Sequence, residues 1–511
     1  MTASGAGTQG SMPRPGHRPR PGTLTTAPAT ADRRMPNADA AWLRMDRPTN
    51  LMVINALMLL DGHLDGGRLR EVIASRLVAP YPRFRALVSE SRLAPRGPSF
   101  RADPHFDVDR HLHHLGLPDP GDEQALRELV SDLVSTPLDR GKPLWDIYVL
   151  DRPQAGQALL VRMHHCIADG VALARVMLSL TDAAAAGDGL AAAGTSTPAP
   201  RGGLRGALGV ATAIPRAAAG SAAATILGTG RVARGVAGEA RELLGRPAHA
   251  RELLDRAAAD GRVLAKLLLT PPDVDTALRG ELGVARSLAW TRPLDLAIVK
   301  AAAHAQGATV NDVLLAAVTG ALRRHLRDAG EEPSEIRAFV PYNLRPLDEP
   351  IEPDLGNHFG LVFLTLPVDV AGRRARLQEL KRRMDEIKHS PEGPISYAIL
   401  ELLGLTPPLL ESRIIDIFTA KASAVMTNVP GPREGVYLAG APVRAVLVWA
   451  PTSGSVGMSV SIFSYRGEVT IGLLVDAGLV PDPAAIMRHS EEELRALARL
   501  KPASAPVRPR D

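Results

Sequence analysis

The stretch Gln157-Ala158-Leu159-Leu160-Val161-Arg162-Met163 runs directly into His164-His165-Cys166-Ile167-Ala168-Asp169-Gly170 and then into the apolar segment Val171 to Leu180. The first seven residues have the length and character of a strand, and the segment after Gly170 those of a helix. Side chains alternate faces along a strand, so two adjacent histidines at its end point apart: one can enter a cleft while the other packs behind. Asp169 can fold back across the turn or cap the helix, and Gly170 is expected to let the chain bend into it. The pattern suits general base catalysis, in which a neutral imidazole takes the proton of a hydroxyl attacking a carbonyl. Ordinary packed histidines with a capping Asp are the plain alternative. A metal site is not expected, because the histidines face apart and no further ligand lies at suitable spacing. Cys166 as an acylated nucleophile is a rival reading. With no third residue to orient a base, it is expected instead to be a small buried residue.

Outward from this stretch the chain alternates strands and helices. Asn50 to Leu60 is apolar and of strand length, while Leu69 to Leu77 and Glu123 to Ser135 have helical spacing. Beyond about Trp290 a second block reads as helices at Leu294 to Gln306 and Asn311 to Leu326. Its strands are Ala338 to Pro341, Leu361 to Val370, Ala422 to Asn428 and Glu468 to Val475. Ala445 to Tyr465 is free of charge, but its Pro451, Gly454, Gly457 and serines predict a strand pair with a turn rather than a membrane helix. The 511 residues are too many for one ordinary core. The expected division is a disordered tail at 1–34, an N-terminal domain at 35–182, an Ala- and Arg-rich helical connector at 183–288, a C-terminal domain at 289–500 and a tail at 501–511. From Gly189 to Gly238 the connector carries Arg201, Arg205, Arg216, Arg231 and Arg234 and no acidic residue. It is either a plain linker or a basic region lying on an anionic surface.

Composition narrows the function classes. Hydrophobic residues at 45% with charged residues at 23% mark a globular chain rather than a disordered or coiled-coil one. A net charge of +5 is too small for a nucleic-acid platform. The single cysteine excludes disulfides within the chain and a Cys-built metal site, and it suits a reducing cytoplasm.

HHCIADG matches the HHxxxDG motif of the coenzyme A-dependent acyltransferase superfamily. Further stretches resemble the bacterial wax ester synthase/diacylglycerol acyltransferases within it: Asp39-Ala40-Ala41-Trp42-Leu43, Asp46, Pro48-Thr49-Asn50-Leu51-Met52 and Pro137-Leu138-Asp139-Arg140-Gly141-Lys142-Pro143-Leu144-Trp145. In the second block Asn311-Asp312, Val340-Pro341-Tyr342-Asn343-Leu344-Arg345-Pro346, Leu355-Gly356-Asn357 and Thr427-Asn428-Val429-Pro430-Gly431-Pro432 follow in the family's order. Thr427 often stands as Ser in the family and Asp46 as Glu, which bears on substrate preference.

The resemblance implies an α/β fold of two related, chloramphenicol acetyltransferase-like domains, each a mixed sheet flanked by helices, with a tunnel between them. It implies His165 as the base beside His164, Asp169 holding the loop by pairing with Arg345, and Gly170, Asp46 and Asp312 shaping the site. Asn311 is either a donor to developing oxyanion charge or a helix N-cap. Acyl-CoA is the implied co-substrate, with no cofactor, and diacylglycerol or a fatty alcohol the acceptor. The implied location is cytoplasmic, peripherally attached to an anionic membrane or lipid droplet. Alternatives are a carrier-dependent or small-alcohol acyltransferase and a non-catalytic lipid-surface protein of this fold.

Overall fold

The computed structural model describes residues 32–90, 97–185 except 154, 265–345 except 268, and 352–502 except 389 and 407. Val53–Leu60 (β2) is buried at every position, so its run, apolar except for Asn55, fits a strand covered on both faces. It pairs antiparallel with Gly156–His164 (β7), which continues to Trp145–Arg152 (β6) and, parallel to that, Leu112–Gly116 (β5). Glu123–Val134 (α3) covers one face of this sheet through Leu126 and Val130. Gly170–Ser179 (α4) covers the other through Leu173 and Val176. Asp122 and Asp169 cap these two helices, each accepting a backbone N–H of the first turn. Asn37–Met45 (α1) lies against the second half of the chain, and Gly66–Val72 (α2) continues into a π turn at Ile73–Val78.

The second sheet runs Phe359–Leu366 (β11), Ile336–Asn343 (β10), Ala424–Pro430 (β12), Met458–Tyr465 (β15), Glu468–Asp476 (β16) and Arg286–Trp290 (β8), with Leu294–Asp295 (β9) beside β16. It is mixed, since β12 is parallel to both of its neighbours. Leu296–Ala305 (α5), Val310–Asp328 (α6), Arg373–Lys388 (α7) and Pro483–Ala498 (α10) flank it, and α6 is buried from Asp312 through Leu322. Glu392–Leu403 (α8) and Pro408–Thr419 (α9) pack toward α1.

Three expectations are corrected. Ala445 to Tyr465 forms no hairpin. Ala441–Trp449 (β14) pairs with β2 in the first sheet, with Tyr437–Leu438 (β13) beyond it, whereas β15 lies in the second sheet. The 289–500 block therefore lends two strands to its neighbour, because β14, apolar apart from the exposed Arg444, fills a slot beside β2. The connector is shorter than 183–288. Leu267 and Leu278 are buried in the second half, and β8 belongs to its sheet; the stretch Gly189 to Gly238 lies outside the described residues. The first tail ends earlier than 34. Arg33–Arg34 (β1) pairs with Ser99–Ala102 (β4), which pairs with Ala86–Ser89 (β3), and Arg33 is 2.7 Å from Asp354. Residues 1–31 and 503–511 lie outside the described residues.

The step from β14 to β15 is held by Asn50. Its Nδ2 donates to Gly454 O at 2.7 Å, and its Oδ1 accepts from Arg286 Nη2 at 3.1 Å and from Thr452 Oγ1. Asn50→Ala leaves this buried group of partners incomplete. It is expected to lower stability by about 2–3 kcal/mol, read as a lower unfolding midpoint in urea with the folded circular dichroism spectrum kept.

Candidate active site

Strand β7 ends at His164, and the chain turns immediately, with His165 N–H donating to Met52 O at 2.7 Å. The His165 ring is buried, stacked on Trp42 of α1 at 4.3 Å and 15°, with Phe359 of β11 at 5.4 Å. Its Nδ1 lies 2.8 Å from Asn357 Oδ1. Burial drives its pKa down to about 4, against the pull of Asp169, its own carbonyl and Asn357. The imidazole is thus neutral near pH 7 and keeps a basic nitrogen.

His164 has a different setting. Cys166 N–H donates to its Nδ1 at 3.1 Å, and its Nε2 faces Asp46 Oδ2 at 3.7 Å. Burial works against an imidazolium here, but the Cys166 sulfur and Asp46 outweigh it and push the pKa upward. The backbone N–H aimed at Nδ1 opposes a second proton at that nitrogen, and this geometry favours the neutral Nε2–H form against the pull of those charges. Asp46 also accepts Met52 N–H at 2.8 Å and Arg140 Nη2 at 3.0 Å. Burial raises its pKa, but His164, Met52 and Arg140 outweigh this and leave the carboxyl below its ordinary value. Asp46 and Arg140 therefore brace His164 rather than His165. Cys166 lies beside His164, which in turn faces Asp46, so a third residue that the sequence did not show is present; yet Cys166 is wholly buried in the apolar core.

Asp169 uses both oxygens on backbone N–H groups, Ala172 at 2.8 Å and His358 at 3.1 Å. Arg345 Nη2 stands 3.9 Å from Asp169 Oδ2 and donates instead to Leu355 O at 2.9 Å and Gly356 O at 3.3 Å. It supports a strained turn, since Leu355 and Gly356 have φ of 49° and 81°. Gly356 in turn bonds Ile167 O and Asp169 N–H, so this loop of the second half lies along the histidine turn.

Gly170 does not serve as a bend. Its φ is not left-handed, and a Cβ there would meet nothing within 4 Å, as the first turn of a helix accepts any small residue. It borders an apolar cavity walled by Met58, Met163, Leu173, Met177, Val448 and Phe463. Asn311 is not the helix cap. Thr309 is, with Asp312 completing a reciprocal capping box. Asn311 Oδ1 accepts from Asn428 Nδ2 at 2.8 Å, which joins the Asn311-Asp312 and Thr427–Pro432 motifs to each other and not to the histidines.

The residues that grip His165 were marked in the sequence only as parts of family-like stretches, in the case of Asp39 and Asn357, or not at all, in the case of Arg83. Asn357 Nδ2 donates to Asp39 Oδ1 at 2.7 Å and to His165 O at 2.8 Å. Asp39 is fully buried and accepts Arg83 Nη1 at 2.7 Å. An Asp amid the alanines of an apolar helix, and a Gly-Asn pair, were the available signals; nothing in the sequence marked Arg83. Among the described residues no cluster of three His, Cys, Asp or Glu is placed to hold a metal ion.

Residues 35–314 match the wax ester synthase/diacylglycerol acyltransferase catalytic domain, and residues 355–498 the C-terminal domain of the same family. A probable diacylglycerol O-acyltransferase of Mycobacterium tuberculosis is 27% identical over 479 residues, covering 90% of this chain and 94% of that protein. The solved wax ester synthase/diacylglycerol acyltransferase of Marinobacter aquaeolei superposes with a TM-score of 0.62 at 21% identity, over 92% of this chain and 100% of that one. The first condensation domain of the calcium-dependent antibiotic synthetase shares the fold, with a TM-score of 0.54 at 16% identity over 92% and 96%.

Asp169→Ala removes a helix cap and the acceptor of His358 N–H, and should cost at least about 2 kcal/mol. Arg345→Met leaves both of those bonds in place and should cost less, so the order of the two unfolding midpoints checks the assignment.

Proposed function

Because the chain belongs to the wax ester synthase/diacylglycerol acyltransferase family, we propose that it moves a long-chain acyl group from acyl-CoA to a hydroxyl acceptor, diacylglycerol or a fatty alcohol, with His165 as general base. The observation that carries this reading is a neutral imidazole, buried and clamped between Trp42 and Asn357, at the junction of the two halves. Its free nitrogen takes the acceptor hydroxyl proton as the oxygen attacks the thioester carbonyl. The tetrahedral intermediate collapses with cleavage of the C–S bond, and the imidazolium returns the proton to the leaving thiolate. Ester and free coenzyme A result, with no acyl-enzyme and no further cofactor. The apolar cavity beside Gly170 supports an acyl chain as substrate. Its volume of about 30 Å³ is room for about two waters and not for a chain, but Met58, Met163 and Met177 are flexible side chains that can move aside.

Cytoplasmic residence with peripheral attachment to an anionic membrane or droplet completes the reading. Among the described residues no helix is long and apolar enough to cross a membrane. The basic stretch Gly189 to Gly238, outside the described residues, is the sequence candidate for that contact.

Thiol release from acyl-CoA, measured with a panel of alcohols and diacylglycerol, tests the proposal. His165→Ala should lower turnover roughly 100-fold or more, and unchanged release would remove the mechanism. Cys166→Ala should keep most activity; an acylated Cys166 peptide that turns over with acceptor would move the reaction to a nucleophilic route. Activity only with a carrier-bound acyl group would replace acyl-CoA as donor. Protonation removes the basic lone pair, so kcat/KM should fall as the pH drops through about 4, the depressed value for His165.

A further inference from the structure

We infer that Asn357, held by the Asp39–Arg83 pair, is a positioning residue that locks His165 as the Nδ1–H tautomer and so leaves Nε2 free for the substrate proton. The inference rests on His165 being the base, and it adds how that base is kept in its working form. A carboxamide has one accepting and one donating end. Here both donor contacts of Asn357, Asp39 Oδ1 at 2.7 Å and His165 O at 2.8 Å, are with oxygens that only accept. Rotating the amide by 180° would set its oxygen against both of them. Oδ1 is therefore committed to His165 Nδ1 at 2.8 Å, and since a carbonyl oxygen cannot donate, the ring proton must sit on Nδ1.

This lock requires Asp39 to be ionised. Its three hydrogen-bond contacts are all donors: Asn357 N at 3.0 Å, Asn357 Nδ2 at 2.7 Å and Arg83 Nη1 at 2.7 Å. Burial raises the Asp39 pKa, with Arg83 and the two Asn357 groups opposing it. Arg83 Nη1 also donates to Cys166 O at 3.1 Å and Ile167 O at 3.0 Å, so the same guanidinium anchors the turn that carries the base. The titratable and charged groups around the ring and its partners, among the described residues, are His164 and Asp169 from its own segment, Asp39 with Arg83 behind it, Arg345 and His358 from the opposing loop, and Tyr397 of α8, which faces Asp39 and His358 and is bonded to Glu401.

The test uses the full chain, with kcat, KM for acyl-CoA and the pH profile as readouts. Asp39→Asn is nearly isosteric but lets both amides rotate. It should lower kcat by on the order of 10²- to 10⁴-fold, the scale of loss when a base takes the wrong tautomer, with KM within about threefold. The double variant Asp39→Asn/Asn357→Asp keeps one carboxylate and moves it onto Nδ1, with the new amide at position 39 able to donate to it. The imidazolium is then stabilised, so the acid limb of kcat/KM should move up by about 1 pH unit or more, a shift that a merely structural role would not produce. If Asp39→Asn alone fails to fold, the double variant, which keeps the net charge beside Arg83, decides. Wild-type kcat in Asp39→Asn, or an unmoved acid limb in the double variant, overturns the inference. Retained activity in His165→Ala instead strikes the general-base reading, so the two failures are distinguishable.

Discussion

The backbone contact between the loop Leu355–His358 and the turn His165–Asp169 is the constraint on which the site depends. Gly356 bonds the chain on both sides of Ala168, His358 N–H reaches Asp169, and Asn357 reaches His165. One loop from the second half thus supplies the base's hydrogen-bond partner and the motif aspartate's second contact. Arg345 stabilises the loop's left-handed residues by gathering their carbonyls, and it stands in the expected ion pair with Asp169 at 3.9 Å without a direct hydrogen bond to it. The aspartate acts through hydrogen bonds to backbone, and the arginine does too.

The same dependence of one half on the other appears in the sheets. With β14 seated beside β2, residues near 445 complete the sheet that carries the histidines, and Asn50 fastens the segment that returns the chain to its own side. The two halves are therefore parts of one cooperative assembly, and damage to the packing of either is felt at the site. Several of the charges in the interior are matched in pairs. Asp39 has Arg83, Asp476 has Arg286 and Glu493 has Arg376, and all six side chains are buried or nearly so. Breaking such a pair strands a charge away from water, at a far higher cost than exposed pairs carry.

The two histidines show how environment separates identical side chains. They are neighbours on one strand end and both are buried, yet one ring meets an amide oxygen at Nδ1 and the other a backbone N–H. His165 consequently has a free Nε2, while the Nε2 of His164 is directed at Asp46. Proximity in sequence made them equivalent; the partners brought by distant segments made them different.

The local elements and the family were legible in the order of the residues. Apolar runs marked β2, β7, α3 and α6 within a few residues, because strand and helix periods are written in adjacent side chains, and the ordered motifs pointed to the acyltransferase. Three features waited on the folded chain: β14 leaves its neighbour β15 for the other sheet, Thr309 rather than Asn311 caps α6, and Asp39, Arg83 and Asn357 converge on His165. Strand partnership and side-chain hydrogen bonding join residues 44 to 402 positions apart, and no local periodicity encodes which of many such pairings forms. That choice is made by the packing of the whole core, where most buried donors and acceptors find a partner.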